Sequence, residues 1–371
     1  MKKNINLGII AMLFFYGFIF LMGYINGYNP FNTGNFSRWD SGLYATISES
    51  GYIVEKIDNT DALNGTCGWF PLMPFLAFVL RLLFGLGFND AAFIISFIST
   101  FALIITFLSI IDKFGENSIS KEWGLFFLLS FIGNIYLAAA FPLSLCLLFM
   151  NLSILCILQK KYILSGLFCY ISCLSYSTAF LYCGVLGCYL IYECIKEKES
   201  LKNFIIKVLK APVLGFMGFL TVHIIIFIAT GNIKAFFLTQ KKYGHGIHNP
   251  IKTLWGFLSN IKGENITDSQ QSFISFIFLL LFIFIVVIFF KEKLYLNKIY
   301  VISSISIMII YFFLLIMGNG VSPYRQYLMC SDVALILASK QVVKKNKLTI
   351  AFFLIISSVF EIKMFFDSVI V

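Results

Sequence analysis

One carboxylate stands out early in the chain, in the stretch SRWDSGLYATISESGY. Ser37 and Asp40 have the spacing of a helix N-cap followed by an acid at the third helical position. Trp39, Leu43 and Ile47 recur at helical spacing, which predicts a short amphipathic helix on a membrane surface. Asp40 faces away from that apolar stripe. It either completes a capping box or acts as a general base that takes the proton of an attacking hydroxyl.

A second polar stretch, TQKKYGHGIHNPIKTLW, carries Lys241, Lys242, His245 and His248. These side chains can bind phosphate, and two histidines three residues apart can bind a metal ion from one helix face. The glycines and the proline among them favour a loop, and no cysteine or carboxylate lies close by in sequence. The alternative is a solvated, positively charged loop. We predict no metal site, and the need for a divalent cation stays open.

Four further ionisable residues are weaker candidates. His223 and Asp332 interrupt apolar runs, where ionisable groups are functional candidates unless they lie near the end of a span. Glu264 and Asp268 are usable carboxylates in a polar stretch, but the solubility of a loop explains them equally well.

The composition determines which elements can position these residues. Of the 371 residues, 59% are hydrophobic and 12% are charged, whereas soluble domains are about 45–50% apolar and about 25% charged. Such a chain has too little polar surface for a soluble enzyme, a nucleic-acid-binding domain or a disordered scaffold. The net charge of +10 comes from lysines in short loops, where they set membrane orientation. We predict one all-α, polytopic membrane domain over residues 1–371, with no nucleic-acid partner.

Apolar runs long enough to cross a bilayer define the helices. They lie at about 7–25, 91–111, 124–140, 141–158, 211–230, 272–290, 299–317 and 348–366. The run 163–192 is too long for one span and breaks near 175–177, so we predict two short helices there. Residues 325–339 add a short span that carries Asp332. No internal repeat is visible, and no pair of broken helices recurs.

Lysine clusters orient these spans. They lie at Lys2–Lys3, Lys160–Lys161, 196–210, 291–298 and 340–347. Placing them in the cytoplasm puts exterior loops at about 26–68, 231–271 and 318–325. The segment 69–86 has two prolines at its start and Arg81 in its middle, which fits a helix in the exterior interface. This gives eleven crossings, or twelve to thirteen if the segment also crosses.

The cysteines and the N-terminus fit the same class of protein. Eight of the nine cysteines lie in or at the ends of apolar stretches, where cysteine acts as a small hydrophobic residue. Only Cys67 lies in a polar loop, so we predict no disulfide. The first apolar stretch, Leu7 to Ile25, is longer than the core of a signal peptide, which predicts an uncleaved first span.

Two motifs together resemble a known family. The order Arg-Trp-Asp-x-x-x-Tyr-x-x-Ile-x-x-x-Gly-Tyr, followed by Trp-Phe-Pro-Leu-x-Pro, resembles the PIG-V-type mannosyltransferases of the GT-C superfamily. The matching residues are Arg38, Trp39, Asp40, Tyr44, Ile47, Gly51, Tyr52, Trp69, Phe70, Pro71, Leu72 and Pro74. Weaker matches are Gln240 with Tyr243, and Arg325 at the start of a late span. The resemblance runs from about 36 to 340, and its first block is the specific part.

The resemblance implies a reaction and a set of roles. A polyprenyl-phosphate sugar, carrying mannose or another hexose, donates its sugar to a hydroxyl at the exterior face with inversion. Asp40 is implied as the base, and Arg325, with Arg38 second, as the cation for the leaving phosphate. A snorkelling interface anchor is the alternative for each arginine. The candidates for substrate binding are Arg38, Trp39, Tyr44, Gln240, Tyr243, His245 and Arg325.

The sequence also departs from the family. An aromatic-Ser-Glu element is expected in the second exterior loop, but Phe141, Pro142 and Ser144 offer no carboxylate. The element that follows is represented only by Tyr176, Ser177 and Thr178. The second acid therefore comes from elsewhere, or this chain has changed its acceptor or lost activity.

These observations support three hypotheses. The first is a GT-C-like glycosyltransferase whose partners are a polyprenyl-phosphate donor, a lipid- or glycan-type acceptor and membrane lipids, without a cofactor. It requires Asp40 in an exterior cavity with Arg325 or Arg38 within reach. A transporter or flippase of lipid-linked sugars would instead place His223, Asp332 and Arg81 on a central path. The third is a non-catalytic partner with the same fold. The frequent Lys, Asn and Ile favour a bacterial plasma membrane over the endoplasmic reticulum.

Overall fold

The computed structural model describes residues 2–57, 60–115, 118–259, 266–318 and 323–367, with side chains from Ser272 onwards in its fourth range. Helices and one small hairpin account for nearly all the regular structure in these ranges. The α-helices are α1 Lys2–Ile25, α2 Ser41–Ser50, α3 Leu72–Phe84, α4 Phe88–Phe114, α5 Lys121–Leu129, α6 Leu143–Leu158, α7 Tyr162–Ser175, α8 Leu181–Glu197, α9 Leu201–Val208, α10 Leu214–Thr230, α11 Ala235–Lys241, α12 Pro250–Ser259, α13 Ile266–Lys291, α14 Lys298–Met317, α15 Pro323–Leu328, α16 Ala334–Leu337 and α17 Lys340–Phe366.

Seven helical stretches in the described residues are long and apolar enough to cross a membrane. They are Lys2–Ile25, Phe88–Phe114, Ser177–Glu197, Leu201–Thr230, Ser272–Lys291, Lys298–Met317 and Lys340–Phe366. Each has at least 20 residues, the length that a 30 Å hydrocarbon core needs at a rise of about 1.5 Å per residue. The stretch Leu201–Thr230 joins α9 to α10 through a π-helical turn, Leu209–Val213, that contains Pro212. Proline lacks the N–H group of a regular helical bond, which explains the wider turn there.

Several predicted helix boundaries are confirmed. The run 163–192 is two helices, because α7 ends at Ser175 and α8 begins at Leu181. The span predicted to start at Pro142 is α6, with Pro142 at its N-cap. A proline is tolerated at the start of a helix because the first N–H groups have no helical partner.

The crossing predicted over 124–140 is not one continuous helix. The helix α5 ends at Leu129, and a single 3-10 turn, Asn134–Leu137, follows after a break at Ser130–Gly133. Gly133 has φ +84°, a conformation that disfavours side chains. Its N–H donates to Oε2 of Glu361 (2.6 Å), so the non-helical backbone is satisfied inside the protein.

A second broken segment, Pro323–Leu337, packs against the first. It consists of α15, a 3-10 turn Ser331–Val333 and α16. A Cβ added at Gly133 would lie 2.4 Å from the carbonyl oxygen of Tyr324, which measures how closely the two backbones approach. The sequence pattern, compared between corresponding halves of the chain, does not identify these two broken segments.

Polar contacts define the two ends of the bundle. At one end Asn4 and Lys121 both contact Asp112, with Nδ2 of Asn4 2.7 Å from Oδ2. At the other end Thr33 donates to Asp90 (2.6 Å), so α4 starts where α1 ends. We call this second end, which carries residues 26–57 and 60–68, the exterior end, in line with the predicted orientation.

The helix α3 begins and ends at the exterior end, because it joins residues 60–68 to the start of α4. This agrees with the prediction that 69–86 does not cross. The seven long stretches, with 121–137, α6, α7 and 323–337, carry the described chain between the two ends eleven times. Eleven is the number predicted from the sequence, and as a count of membrane crossings it stays a prediction.

The two larger exterior loops contain short elements that position side chains. The first has a 3-10 turn, Thr33–Phe36, then α2 and an antiparallel hairpin of β1 Val54–Lys56 with β2 Leu63–Gly65, in which Glu55 pairs with Asn64. The second has α11 and α12 on either side of an irregular segment, 242–249. The predicted loop character around His245 and His248 is therefore confirmed, and only Thr239, Gln240 and Lys241 before it are helical.

Candidate functional site

The local backbone directs Asp40 away from its own helix. Asp40 is the N-cap of α2, and its side chain makes no cap hydrogen bond. Ser37 instead bonds the hydroxyl of Ser41 (2.9 Å), so the predicted capping box is wrong. Trp39, directly before Asp40, has φ +43°, a costly conformation for a residue with a large side chain. This strained turn leaves the carboxylate of Asp40 available for a contact elsewhere.

That contact is an ion pair with Arg325. Oδ2 of Asp40 accepts a hydrogen bond from a terminal guanidinium nitrogen of Arg325, which lies 285 residues further along the chain. The side chains are 17% and 9% exposed, so both charges are largely removed from water. Charges at such a depth interact strongly and are costly to leave alone. Each side chain therefore compensates the charge of the other.

Arg325 lies on aromatic rings. Its guanidinium carbon is 5.9 Å from the ring centre of Tyr136 and 5.3 Å from that of Phe141, within the range of cation–π attraction. Its Nε is buried and has no hydrogen-bond partner in the described structure. Phe141 belongs to the segment that lacks the acid expected from the family. Here that segment supplies a ring under the arginine.

The ion pair faces a small polar pocket at the exterior end, with a volume of about 100 Å³. Its lining residues come from α2, the exterior loops, the α7–α8 junction and α15. They are Asp40, Tyr44, Gly68, Trp69, Phe70, Tyr176, Ser177, Gln240, Tyr243, His245, Arg325 and Gln326. Six of the eight predicted site residues therefore line one pocket. Asp40 is the one carboxylate among the lining residues that the structure describes.

The two exterior loops meet at one wall of this pocket. Nε2 of Gln240 donates to the carbonyl oxygen of Gly68 (3.1 Å), and the ring of Trp69 meets Tyr243 edge to face at 5.7 Å. The hydroxyl of Tyr52 donates to the carbonyl of Trp69 (3.0 Å), which fixes the backbone behind that ring. The result is a rigid aromatic edge beside Asp40, the kind of surface on which a sugar ring packs.

Burial and nearby charges shift the pKa values of titratable groups that line the pocket. Burial and the Arg325 cation lower the pKa of His245 below its usual 6.5, so the imidazole is neutral at pH 7. Burial raises the pKa of Tyr44 well above 10, and burial together with Asp40 raises that of Tyr243. Both phenols stay protonated and act as hydrogen-bond donors.

The helix α2 presents a different face from the one predicted. Ser41, Tyr44 and Ser48 are its buried residues, whereas Leu43 and Ile47 are only half-buried. The predicted stripe of Trp39, Leu43 and Ile47 is present in the sequence. The α2 side chains that pack into the protein are instead those of Ser41, Tyr44 and Ser48. The buried stripe brings Tyr44 to the pocket next to Asp40.

Two predicted substrate-binding residues lie outside the pocket lining. Arg38 has its guanidinium carbon 5.7 Å from the ring centre of Tyr28, and Trp39 packs edge to face on Phe365 at 5.5 Å. The turn at Trp39 separates both side chains from that of Asp40. Each one holds the start of α2 against the bundle, outside the lining of the pocket.

Of the basic residues predicted in the second exterior loop, one lines the pocket and the others make contacts elsewhere. His245 lines the pocket, whereas the backbone N–H of His248 donates to the carbonyl of Ile316 (2.7 Å). Lys241 pairs with Asp61 (3.5 Å), and Lys242 bonds Asn64 (2.7 Å), so both lysines tie α11 to the first exterior loop. Glu264 and the side chain of Asp268 lie outside the described residues.

The ionisable residues of the transporter hypothesis do not share a path. Arg81 pairs with Glu49 (3.3 Å) and joins α3 to α2 at the exterior surface. His223 bonds the carbonyl of Phe219 (2.9 Å) in an aromatic cluster. Asp332 is buried in the second broken segment. These three positions give that hypothesis no support.

Sequence reasoning missed part of the pocket. Gln326, next to Arg325, lines it and accepts a hydrogen bond from Thr178 (2.9 Å). Tyr176 and Ser177 also line it, although the sequence marked them only as remnants of a family element. The break between the two short helices was the signal, since a chain that turns at the exterior end must place its polar residues there.

Comparison with known proteins identifies the fold. No protein-family model and no curated protein sequence matches the chain. Among solved structures it is similar to ArnT from Cupriavidus metallidurans, solved with undecaprenyl phosphate bound, at 14% identity and a TM-score of 0.52. The match covers 91% of this chain and 62% of ArnT, so the chain spans less than two thirds of that protein's length.

At this identity the likeness carries the architecture alone. It extends over almost the whole chain. The chain is an all-α, multi-pass integral membrane protein with a GT-C-like fold.

Proposed function

We propose that this protein is a membrane glycosyltransferase that moves a sugar from a polyprenyl-phosphate donor to an acceptor hydroxyl at the exterior face. The transfer inverts the anomeric carbon, and Asp40 is the general base. The observation that carries the proposal is the Asp40–Arg325 pair in a polar pocket. A base and a phosphate-binding cation are the two charged groups that such a transfer needs.

The donor phosphate competes with Asp40 for Arg325. A guanidinium offers five N–H groups in a planar fork that matches phosphate, and Nε of Arg325 has no partner in the described structure. When the phosphate takes this fork, the carboxylate of Asp40 loses its main partner and turns to the acceptor. Donor binding therefore activates the base.

The transfer then follows in one displacement. The acceptor oxygen forms a bond to the anomeric carbon while the bond from that carbon to the phosphate oxygen breaks. The hydroxyl proton goes to Asp40, and the departing polyprenyl phosphate keeps the electron pair. Arg325 stabilises the added negative charge in surroundings that exclude water, where such contacts are strong.

The rest of the pocket selects and orients the sugar. Trp69 and Tyr243 form the aromatic edge on which an apolar sugar face packs. Tyr44, Gln240 and the neutral His245 offer polar contacts to sugar hydroxyls. A hexose, with mannose first because of the PIG-V resemblance, is the proposed sugar. The bound undecaprenyl phosphate of ArnT supports a donor of the same lipid class.

The test is sugar transfer by the reconstituted protein. Polyprenyl-phosphate [14C]mannose is supplied in proteoliposomes with a membrane-lipid extract as acceptor, and polyprenyl-phosphate glucose is tested in parallel. We expect the Asp40→Asn variant to lose at least about 100-fold in rate, as removal of a general base does. Glu49→Gln is the matched control, since Glu49 is another ion-paired acid of α2 outside the pocket.

Two results would contradict the proposal. One is transfer by Asp40→Asn at the rate of Glu49→Gln. The other is no transfer from any polyprenyl-phosphate hexose by protein that binds polyprenyl phosphate.

A further inference from the structure

Three thiols meet between α7 and α8, on the side of the junction that joins these two helices. Sγ of Cys169 lies 3.6 Å from Sγ of Cys183, and Sγ of Cys173 lies 4.0 Å from it. All three sulfurs lie within 4.8 Å of one another, and all three residues are buried. Cysteines as small hydrophobic residues do not require such convergence, so the cluster needs its own explanation.

The sulfur–sulfur distances match those of a metal thiolate site. A metal ion held about 2.3 Å from three sulfurs in one plane keeps the sulfurs about 4.0 Å apart. Two of the three sulfur–sulfur distances, 3.6 and 4.0 Å, are close to this spacing and the third is within 4.8 Å, so an ion can enter with small side-chain rotations. None of the three is bonded as a disulfide.

The neighbouring helix leaves room for the sulfurs. Gly215 of α10 faces the cluster, and a Cβ added there would lie 2.7 Å from Sγ of Cys169 and 3.3 Å from Sγ of Cys183. Cys146 of α6 adds a fourth sulfur on the same side, bonded to Ser172 (3.3 Å) and to Sδ of Met150 (3.4 Å). The surroundings are therefore soft and apolar, which favours a soft ion over a hard one.

We propose that Cys169, Cys173 and Cys183 form a binding site for Cu(I). The thiolate is the form of cysteine that ligates a metal ion, so Cu(I) displaces the protons of the three thiols that it binds, and these protons leave to the exterior solvent. The positive ion offsets one of the three thiolate charges, and coordination to the ion stabilises the others in the apolar core. Soft sulfur ligands and the absence of a geometric demand for a fourth ligand favour Cu(I) over Zn(II).

The ion would fasten two helices beneath the pocket. Cys169 and Cys173 belong to α7 and Cys183 to α8, and the turn between these helices carries Tyr176 and Ser177 of the pocket lining. Cys173 lies two residues before the end of α7, about 3 Å along the helix axis from the exterior end. An ion arriving from the exterior has only a short way to travel.

Copper binding by the purified protein tests the site. Cu(I) is supplied as its acetonitrile complex under argon, with bathocuproine disulfonate as competitor, and X-ray absorption is recorded on the loaded wild type. We expect one Cu(I) per chain and a first shell of three sulfurs at about 2.3 Å. The triple variant Cys169→Ser, Cys173→Ser, Cys183→Ser should lose this ion.

A second triple variant provides the matched control. Cys67, Cys188 and Cys194 lie away from the cluster, and their replacement by serine removes the same number of thiols. This control should keep the ion. The X-ray absorption spectrum of the wild-type protein tests the site even if the first triple variant fails to fold.

Four results would overturn the proposal. They are a shell of nitrogen or oxygen, loss of the ion in the control variant, preference for Zn(II) over Cu(I), and a mass of the isolated protein that shows a disulfide within the cluster.

Discussion

At the scale of single residues, the central feature is the competition between Asp40 and phosphate for one guanidinium. The two side chains pair at the edge of a polar pocket, and Arg325 is held from below by Tyr136 and Phe141. The rings fix the plane of the guanidinium without neutralising it. Arg325 can therefore exchange a carboxylate for a phosphate without moving far.

Arg325→Lys tests whether the planar guanidinium binds the donor phosphate. A lysine keeps the charge but offers no planar pair of donors, so we expect the KM for the donor to rise by about tenfold, with a smaller fall in kcat. Initial rates over a range of donor concentrations give both constants. An unchanged KM would show that the donor phosphate binds elsewhere.

His245 should report donor binding through its proton. Its pKa is lowered by burial and by Arg325, and a phosphate bound at Arg325 offsets that cation. The pKa of His245 then rises towards its ordinary value, so the protein takes up protons near pH 6 when polyprenyl phosphate binds.

Calorimetry in two buffers with different ionisation enthalpies measures this uptake. His245→Gln should abolish it, and His248→Gln, which changes a histidine outside the pocket, should not. Equal uptake in wild type and His245→Gln would contradict the assignment.

At the scale of elements, the two broken segments position the site. The first brings Tyr136 under Arg325, the second carries Arg325 itself, and Gly133 lies where their backbones touch. The carboxylate of Glu361 in α17 accepts hydrogen bonds from Gly133 (2.6 Å) and Ser357 (3.0 Å). The broken helical backbone of these two segments therefore helps to position Arg325.

Gly133→Ala should disturb this arrangement. The residue has φ +84°, and the new Cβ would meet the carbonyl of Tyr324 at 2.4 Å. Backbone strain of this kind costs about 1–3 kcal/mol, so we expect a lower melting temperature in detergent and a loss of transfer. Gly187→Ala is the control, because Gly187 lies inside α8 with open space around its Cβ position. An equal effect of both changes would contradict the positioning role.

The sequence allowed the helices to be predicted far better than their breaks. Length and hydropathy mark α1, α4 and α14, and the polar residues near 175–177 mark the gap between α7 and α8. The break at Ser130–Gly133 is marked in the sequence only by Ser130, Gly133 and Asn134 within an otherwise apolar run, and the backbone contact that shapes it is with Tyr324, almost two hundred residues away. Local patterns carry no record of such a contact.

The site shows the same limit. Asp40 was predicted from its own neighbourhood and Arg325 from a weak family resemblance, but their pairing spans 285 residues. The capping box failed because the strained φ of Trp39 depends on tertiary packing against Phe365. The spacing of Ser37 and Asp40 alone does not distinguish a capping box from an ion pair between Asp40 and Arg325.

At the scale of the whole molecule, charge divides the protein into two faces. The lysine clusters lie at one end of the bundle, and the pocket lies at the other with the acidic first loop. The GT-C-like fold and the similarity to ArnT extend over nearly the full chain. This separation of charge predicts that the functional surface is at the exterior end.

Reporter fusions test the orientation. Alkaline phosphatase fused after Gly87, between α3 and α4, should be active in Escherichia coli, because α3 does not cross. The same reporter fused after Gly115, at the end of α4, should be inactive, and green fluorescent protein there should be bright. An active phosphatase after Gly115 would mean that α3 crosses the membrane.

Binding of polyprenyl phosphate to Asp40→Asn tests the central claim most directly. The substitution removes the carboxylate that competes for Arg325 and also removes the base. We therefore predict a lower Kd for polyprenyl phosphate than in the wild type, together with sugar transfer at least about 100-fold slower. Binding that weakens in Asp40→Asn, or transfer that continues at the wild-type rate, would contradict the account.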